Sequence, residues 1–523
     1  MNQLKDEQIR TAGEIRRRAE FSQSRLHTVL YACKNFIQHS EYSWPGDFEG
    51  RTLLAKVSLA RTLGTSEDFG DELNAIAENA NADGYFGAVF DGATMNEQQL
   101  SGNSWLMRGL CESYLLNGNR TAEELLRRMT ETWLLRLQPF YQNYPIQNET
   151  RAEGIKGEAI GALYANAVNG WKLSTDTGCA FIALDGITQV AQVLEEKRLY
   201  PLIETMIARF LQIDKVGLRC QTHATLSATR GILRYFELTG RREYLAAATE
   251  IYALYREHGM TINYANYNWF ERPEWTEPCA VVDALTIAFS LFRFTKDFRY
   301  AEDANRIFWN ALKFAQRSNG GFGCDTCLTL ENGTLSATNT YEAYWCCTMR
   351  GAEGIRVAAQ NQYLEEESTV FVPGFNDGEA VLMGGRLVLR QSTEMPYHGK
   401  VVFQILKNEA GRVTIRLYRP QNVFLTCVSG AEAEVLEHEI RIRTEGCGEI
   451  SLEFEILPCV REEKGKKLFW AGDLLLGELE GAPEYTPERV YSLDGHQLVP
   501  VADMKGIPEE TARKVRQKFV FAS

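Results

Sequence analysis

The sequence predicts a closed toroid of six helical hairpins, an (α/α)6 ring, followed by an antiparallel β-sandwich. Three observations carry this. Up to about residue 365 apolar residues recur at spacings of three and four. Within that part a helix, short turn, helix unit repeats, as stacked helical pairs require. From about Val370 the apolar period changes to two.

The helical runs are Arg25–Ile37, Leu53–Leu63, Trp105–Leu116, Phe181–Leu194, Thr225–Leu238, Val281–Phe294 and Ala301–Phe314. Their turns read Leu63-Gly64-Thr65, Asn117-Gly118-Asn119, Glu195-Glu196-Lys197, Thr239-Gly240-Arg241 and Thr295-Lys296-Asp297, stops after which an antiparallel helix begins at once. The first helix of each pair is the more apolar and the second the more charged, as in the segment 122–128, which separates an inner from an outer ring. A last inner helix after Arg350, partnered by the N-terminal helix, completes six pairs. Lys400–Leu406, Val413–Leu417 and Ile450–Ile456 then alternate as strands. The domains expected are a toroid over 1–367, a sandwich over 368–475 and an extension over 476–523 with a helix at Glu509–Lys518.

A similar stretch precedes each inner helix: 44–51, 98–105, 174–179, 220–223, 275–279 and 345–347. All are rich in Trp, Gly and polar groups, and all open at one end of the ring, where helix N-termini aim free N–H groups. Aromatic faces beside carboxylates and amides suit a sugar, stacking on its C–H face and bonding its hydroxyls. Any one stretch reads as a loop cap; six in phase read as a carbohydrate basin. Asp47, Arg51, Asn103, Trp105, Asp176, His223 and Trp269 are the residues expected to meet the sugar.

Two of these stretches carry more. Trp275-Thr-Glu277-Pro-Cys279 and Tyr344-Trp-Cys346-Cys347 together offer one carboxylate and three thiols, a set of the kind zinc takes. Adjacent cysteines diverge and pack poorly on one apolar face. Their bland alternative is that free cysteines are small buried hydrophobes. Cys324-Asp-Thr-Cys327 offers a rival: with Cys346 and Cys347 it makes a four-thiolate structural site.

With 523 residues, 45% hydrophobic and 24% charged, the chain is ordinary for a folded protein of more than one domain. A net charge of −13 argues against a nucleic-acid surface. No uninterrupted apolar run approaches bilayer length, so no membrane partner is expected. Polar residues at the start and twelve cysteines without an export signal point to the cytoplasm. A homodimer is compatible with the sequence.

Glu277-Pro-Cys279-Ala-Val-Val, Asp297-Phe-Arg-Tyr300, Trp309-Asn-Ala-Leu312 and the pair Cys346-Cys347 resemble the β-L-arabinofuranosidase-like glycoside hydrolases, family 127 and relatives. Those enzymes carry Glu-Thr-Cys-Ala and a Cys-Cys pair, and Thr222-His223-Ala224 resembles their Gly-His-Ala. The resemblance covers roughly residues 40–460 in organisation and is specific over 220–350. It implies zinc held by Glu277, Cys279, Cys346 and Cys347, Cys346 as nucleophile and His223 against the sugar. The family's acid/base glutamate stands in a Gly-Glu loop before Glu-x-Cys, whereas Tyr264–Glu274 has no Gly-Glu. The family's His-Glu-Leu-Tyr is replaced by Ser101-Gly-Asn103-Ser104.

A retaining glycosidase needs a nucleophile on one side of the anomeric carbon and an acid on the other. Metal coordination would hold a thiol as thiolate. For the acid, Glu271 beside Trp269 and Phe270 has an apolar setting that raises a carboxyl pKa, with Asp176 and Glu274 behind it. Three functions follow: a retaining zinc-thiolate β-L-arabinofuranosidase-like hydrolase acting on plant-derived or other oligosaccharide fragments; a toroid glycosidase using a carboxylate pair such as Asp176 with Glu271; or an inactive carbohydrate-binding homologue with structural zinc.

Overall fold

The structure, a computed structural model, describes residues 1–37, 43–147, 161–164, 166–329, 334–335, 342–463, 465–480, 488–503 and 516–518. Among them six inner helices form a closed ring: Asp47–Leu63, Glu97–Asn117, Ala183–Val193, Thr222–Thr239, Pro278–Thr295 and Cys347–Gln360. Each packs on the next, and the sixth returns onto the first. The outer helices are Gly70–Asn79, Arg120–Thr132, Tyr200–Leu211, Arg242–His258 and Phe298–Ile307, while Gly13–Leu26 leans on both the first and the last inner helix.

Burial explains the two rings. In Asp47–Leu63 only Arg61 and Leu63 escape burial, because the helix is wrapped on all sides. Arg120–Thr132 buries Ala122, Leu125, Leu126, Met129 and Thr130, a single stripe at helical spacing. The first two inner helices touch backbone to backbone. A Cβ on Gly50 would stand 2.1 Å from the Leu106 nitrogen, so a side chain there would push the pair apart. Gly118 ends the second inner helix in a left-handed turn at φ 69°, its N–H bonded to the Tyr114 carbonyl.

Two sheets follow. One runs Asn2–Gln3, Leu364–Glu366, Thr369–Val372, Val413–Tyr418, Glu439–Thr444, Glu432–Val435. The other runs Val423–Ser429, Gly448–Ile456, Lys400–Asn408, Leu387–Thr393, Gly378–Leu382, Ile9–Thr11. Alternation turns Val413, Ile415 and Leu417 inward, with Val401, Phe403 and Ile405 doing the same in the second sheet.

The structure differs from the sequence reading in four places. The run Arg25–Ile37 is not one helix: it ends at Leu26, and a short turn and Cys33–Phe36 follow. Arg25 is drawn to Glu342 and Thr28, and Tyr31 Oη donates to the Tyr344 carbonyl, so this segment follows the pocket wall instead of the ring. Second, one strand pair, Thr369–Val372 with Val413–Tyr418, is parallel. Third, the opening residues belong to the sandwich edges and not to the toroid. Fourth, a third sheet stands where the extension was expected, built from Pro458–Glu463, Lys466–Ala471, Leu474–Glu480, His496–Pro500 and Tyr491–Leu493. It is clamped to the ring through Asn310, whose amide donates to the Asp473 carbonyl and accepts from the Leu475 N–H. Asn310 sits in a π-helical turn, Phe308–Leu312, which interrupts the run 301–314. Of the helix expected at Glu509–Lys518, only 516–518 lies among the described residues, and it is a strand paired with Leu474–Glu480. Pro278–Thr295 is long and apolar enough to cross a membrane by composition, and it is the inner helix that the run 281–294 predicts, 72% of that stretch being buried.

Candidate active site

The fifth and sixth inner helices deliver the cysteines. Glu277 caps the fifth with extended backbone, Pro278 follows as its first residue, and the Glu277 N–H bonds to Asn266 Oδ1 at 2.8 Å. Cys346 caps the sixth with non-helical backbone while Cys347 begins it. That change of conformation lets two adjacent side chains, which would diverge on a regular helix, point at one spot.

They meet Cys279 and Glu277 there. One ligand atom from each of the four residues lies within 4.8 Å of all the others. The Cys279 and Cys347 sulfurs are 3.8 Å apart and those of Cys346 and Cys347 3.4 Å. Two sulfurs at tetrahedral angles on zinc, each bonded at ~2.3 Å, stand ~3.8 Å apart. Glu277 Oε2 is buried with no hydrogen-bond partner. Burial pushes the Glu277 carboxyl well up, with the Cys279 and Asp176 charges adding to it. Burial likewise raises the Cys279 thiol to about 11 and drives Cys347 well up, whereas hydrogen bonds from Cys279 and Cys347 pull Cys346 down. Four acids crowded this closely want a cation. The set of three sulfurs, one oxygen and an unpartnered carboxylate atom fits zinc, which would hold the sulfurs as thiolates.

Cys346 opens onto a cavity of about 670 Å³ at one end of the ring. Its walls include Asp47, Arg51, Asp176, His223, Glu277 and Cys347, so the first, third, fourth, fifth and sixth helix starts converge as the six stretches imply. Arg51 ties them together: Nε donates to Asp47 at 2.8 Å, while Nη1 reaches Cys279 Sγ and Nη2 reaches His223 Nε2, both at 3.4 Å. Beneath His223 lies Asp283, fully buried, 2.7 Å from His223 Nδ1 and bonded to Ser227, Arg230 and Arg350. Burial opposes its ionisation, but Arg350, His223 and Arg230 outweigh that and hold it well below the usual carboxylate range. Asp283 therefore fixes the ring orientation of His223 at the pocket floor.

Cys279 sits behind the cavity lining within the ligand cluster, and four of the residues expected to meet the sugar or act as acid do not line the cavity. Trp105 is fully buried behind it, stacked 5.6 Å from the His223 ring and faced by the guanidiniums of Arg51 and Arg350. It supports those groups and is covered by them. Asn103 spends its amide on the Phe86, Gln99 and Pro45 carbonyls and its oxygen on the Phe86 N–H, bracing a loop. Trp269 turns away to pack on Trp275, because extended backbone sends neighbours to opposite sides, and its neighbour Asn268 takes the wall. Glu271 is half exposed outside the cavity, bonded to His258 at 2.5 Å, with φ at +56° turning the chain outward. Glu274 is likewise exposed on Arg272. The apolar neighbours read as desolvating Glu271 are buried while Glu271 itself is not, so an Asp176–Glu271 pair is not assembled.

Some wall residues were passed over. Trp44, Trp275 and Trp345 line the cavity, Trp345 37% exposed at its mouth, and their place in the pre-helix stretches 44–51, 275–279 and 345–347 was the signal for them. Asn268 carried no motif, and Ser101 stood in the stretch 98–105 without a role assigned; Asn268 Oδ1, Ser101 Oγ and Asp176 Oδ1 are buried on this wall with no partner, acceptors suited to sugar hydroxyls. Cys324 also lines the cavity and bonds the Cys347 thiol, but Cys327 turns to the Asn266 carbonyl at 3.5 Å, so the four-cysteine set does not converge.

The sequence of the β-L-arabinofuranosidase GH127 catalytic domain matches residues 70–360. A solved GH127 β-arabinofuranosidase superposes with a TM-score of 0.70 at 12% identity, covering 100% of this chain and 98% of that one. The GH127 β-L-arabinofuranosidase of Geobacillus stearothermophilus T6 gives 0.69 at 12% identity, over 98% and 100%. A further glycoside hydrolase gives 0.65 at 13% identity, over 95% and 89%. No curated protein matches the sequence.

Proposed function

The protein belongs to the GH127 β-L-arabinofuranosidase family of glycoside hydrolases, and from that premise we propose that it is a retaining β-L-arabinofuranosidase that works through a zinc-held thiolate. Its substrate is a carbohydrate. The carrying observation is the convergence of Glu277, Cys279, Cys346 and Cys347 at the wall of the cavity. In this reading Glu277, Cys279, Cys346 and Cys347 hold the zinc. When bound, the metal would keep sulfur ionised at neutral pH and make it a better leaving group.

This chain's residues do the rest. Beside Cys346 the Arg51 guanidinium presents N–H groups to the sugar, and His223, fixed by Asp283, lines the same wall. Asn268 and Ser101 accept from hydroxyls, and Trp44, Trp275 and Trp345 offer apolar faces. Cys346 Sγ attacks the anomeric carbon, and water later displaces it, so two inversions give net retention. Hydrolysis of a panel of nitrophenyl glycosides, with metal content measured on the same samples, tests this. We expect turnover of the β-L-arabinofuranoside, with NMR showing the β-anomer formed first. An α-anomer first, or turnover confined to other sugars, would reject the reading.

A further inference from the structure

Double displacement at Cys346 needs a proton donor on the far side of the sugar, and the glutamates of the loop 264–274 are turned out of the cavity. Among the described residues the carboxylates on the cavity wall are Asp47, Asp176 and Glu277. Asp47 is committed to Arg51 at 2.8 Å, and Glu277 belongs to the cysteine cluster. We propose that Asp176 is the general acid and base of the reaction, a role that rests on Cys346 being the nucleophile.

The ring supplies the geometry. Asp176 stands just before the short turn Cys179–Ile182 that leads into the third inner helix, while Cys346 caps the sixth. In a closed ring of six, third and sixth positions face each other across the axis. A sugar in the cavity therefore meets the thiol from one side and the Asp176 carboxyl from the other. Asp176 is 4% exposed, and one of its oxygens accepts from the Gly161 N–H. The other, Oδ1, is buried in the wall without a partner. One oxygen is anchored on the chain and the other is left without a bond within it, so it can carry the proton. The charged and titratable groups around it are Glu97 from the second inner helix, Arg51 from the first, His223 from the fourth, Glu277 from the fifth and Cys346 from the sixth. Burial, reinforced by Glu97, pushes the Asp176 carboxyl up to about 7, so a protonated fraction is present near neutrality.

In the first step the Asp176 proton passes to the glycosidic oxygen as the C1–O bond breaks, and the Cys346 sulfur pair forms C1–S. In the second step the Asp176 carboxylate takes a proton from water, its oxygen bonds to C1, and the C1–S pair returns to sulfur. Each cycle restores the acid and consumes one water.

The leaving group separates this role from a structural one. Asp176→Asn keeps shape and removes the proton. We expect it to lower kcat/KM on methyl β-L-arabinofuranoside by ~10³-fold. With dinitrophenyl β-L-arabinofuranoside, whose phenolate leaves without protonation, the first-step burst should fall by less than ~10-fold. Turnover should then stall at an adduct on Cys346 visible by intact mass. Azide should restore turnover of the aryl substrate and yield the β-glycosyl azide. Equal losses on both substrates, or no loss on the methyl glycoside, would overturn the assignment. Leaving-group selectivity without any Cys346 adduct would keep Asp176 as acid and reject Cys346 as nucleophile. A wild-type enzyme inert to both glycosides would overturn both.

Discussion

Arg51 Nη1 lies 3.4 Å from the sulfur of Cys279, joining the first inner helix to the fifth at the cavity floor. The same guanidinium neutralises buried Asp47 and lies 4.2 Å over the Trp105 ring. Arg51→Met would leave Asp47 buried without its cation, and we expect a loss of roughly 3–5 kcal/mol in denaturant unfolding. Arg51→Lys should keep the fold but lose the fork that reaches Asp47, Cys279 and His223 together. At least a tenfold fall in kcat/KM is expected for it, with circular dichroism unchanged.

Zinc content follows from the four convergent ligand atoms. Protein purified without added metal should carry one zinc per chain. X-ray absorption should show three sulfurs at ~2.3 Å and one oxygen at ~2.0–2.2 Å. Chelation should lower the melting temperature, because a metal bound only to the folded chain stabilises it. A spectrum of nitrogen and oxygen ligands alone would contradict the assignment.

The two cysteine classes should separate under mutation. Cys346→Ser substitutes a hydroxyl that ionises poorly, and a rate loss of ~10³-fold or more is expected. Zinc should be partly retained by the remaining three residues. Cys327→Ser should stay within a few-fold of wild type, since that thiol serves the Asn266 carbonyl. Steady-state kinetics on the aryl arabinofuranoside, with zinc measured alongside, compares them. Full activity in Cys346→Ser would eliminate thiolate catalysis.

Asp176 also sets a pH dependence of stability. Burial raises its pKa from the unfolded value near 4 to about 7 in the fold. The folded state therefore favours the protonated form, and stability should fall as pH rises from about 4 through 7, then level off. Asp176→Asn does not titrate. Its melting temperature relative to wild type should rise across that window, by the equivalent of roughly 4 kcal/mol at most. A constant difference between pH 5 and 8 would mean that the carboxyl is ionised throughout.

The ring and the metal cluster were legible because each rests on a local pattern. Apolar spacing names inner helices such as Thr222–Thr239, and Glu277-Pro-Cys279 with Cys346-Cys347 names a soft ligand set without any fold. The orientation of the walls was not legible. Trp105 lies more than two helical turns inside its cap, Asn96, where the chain is already enclosed, so it serves as backing. Trp269 and Glu271 lie in an irregular turn whose facing is decided by contacts with other segments, through Trp275 and His258. The third sheet hid for a similar reason. Its anchor, Asn310, lies in the helical part of the chain and reads in sequence as an ordinary helical polar residue.

The early chain also closes what the late chain begins. Asn2–Gln3 and Ile9–Thr11 pair with strands at 364–366 and 378–382, and Gly13–Leu26 leans on Cys347–Gln360. A ribosome therefore releases the first helix while one of the two inner helices it packs on, Cys347–Gln360, is still more than three hundred residues from synthesis. Contacts of such long range form slowly and leave apolar surface open in the meantime. The nascent protein is an arc with two adhesive ends until its sixth inner helix emerges. A fragment stopping short of residue 347 would be an unclosed arc, expected to join its neighbours.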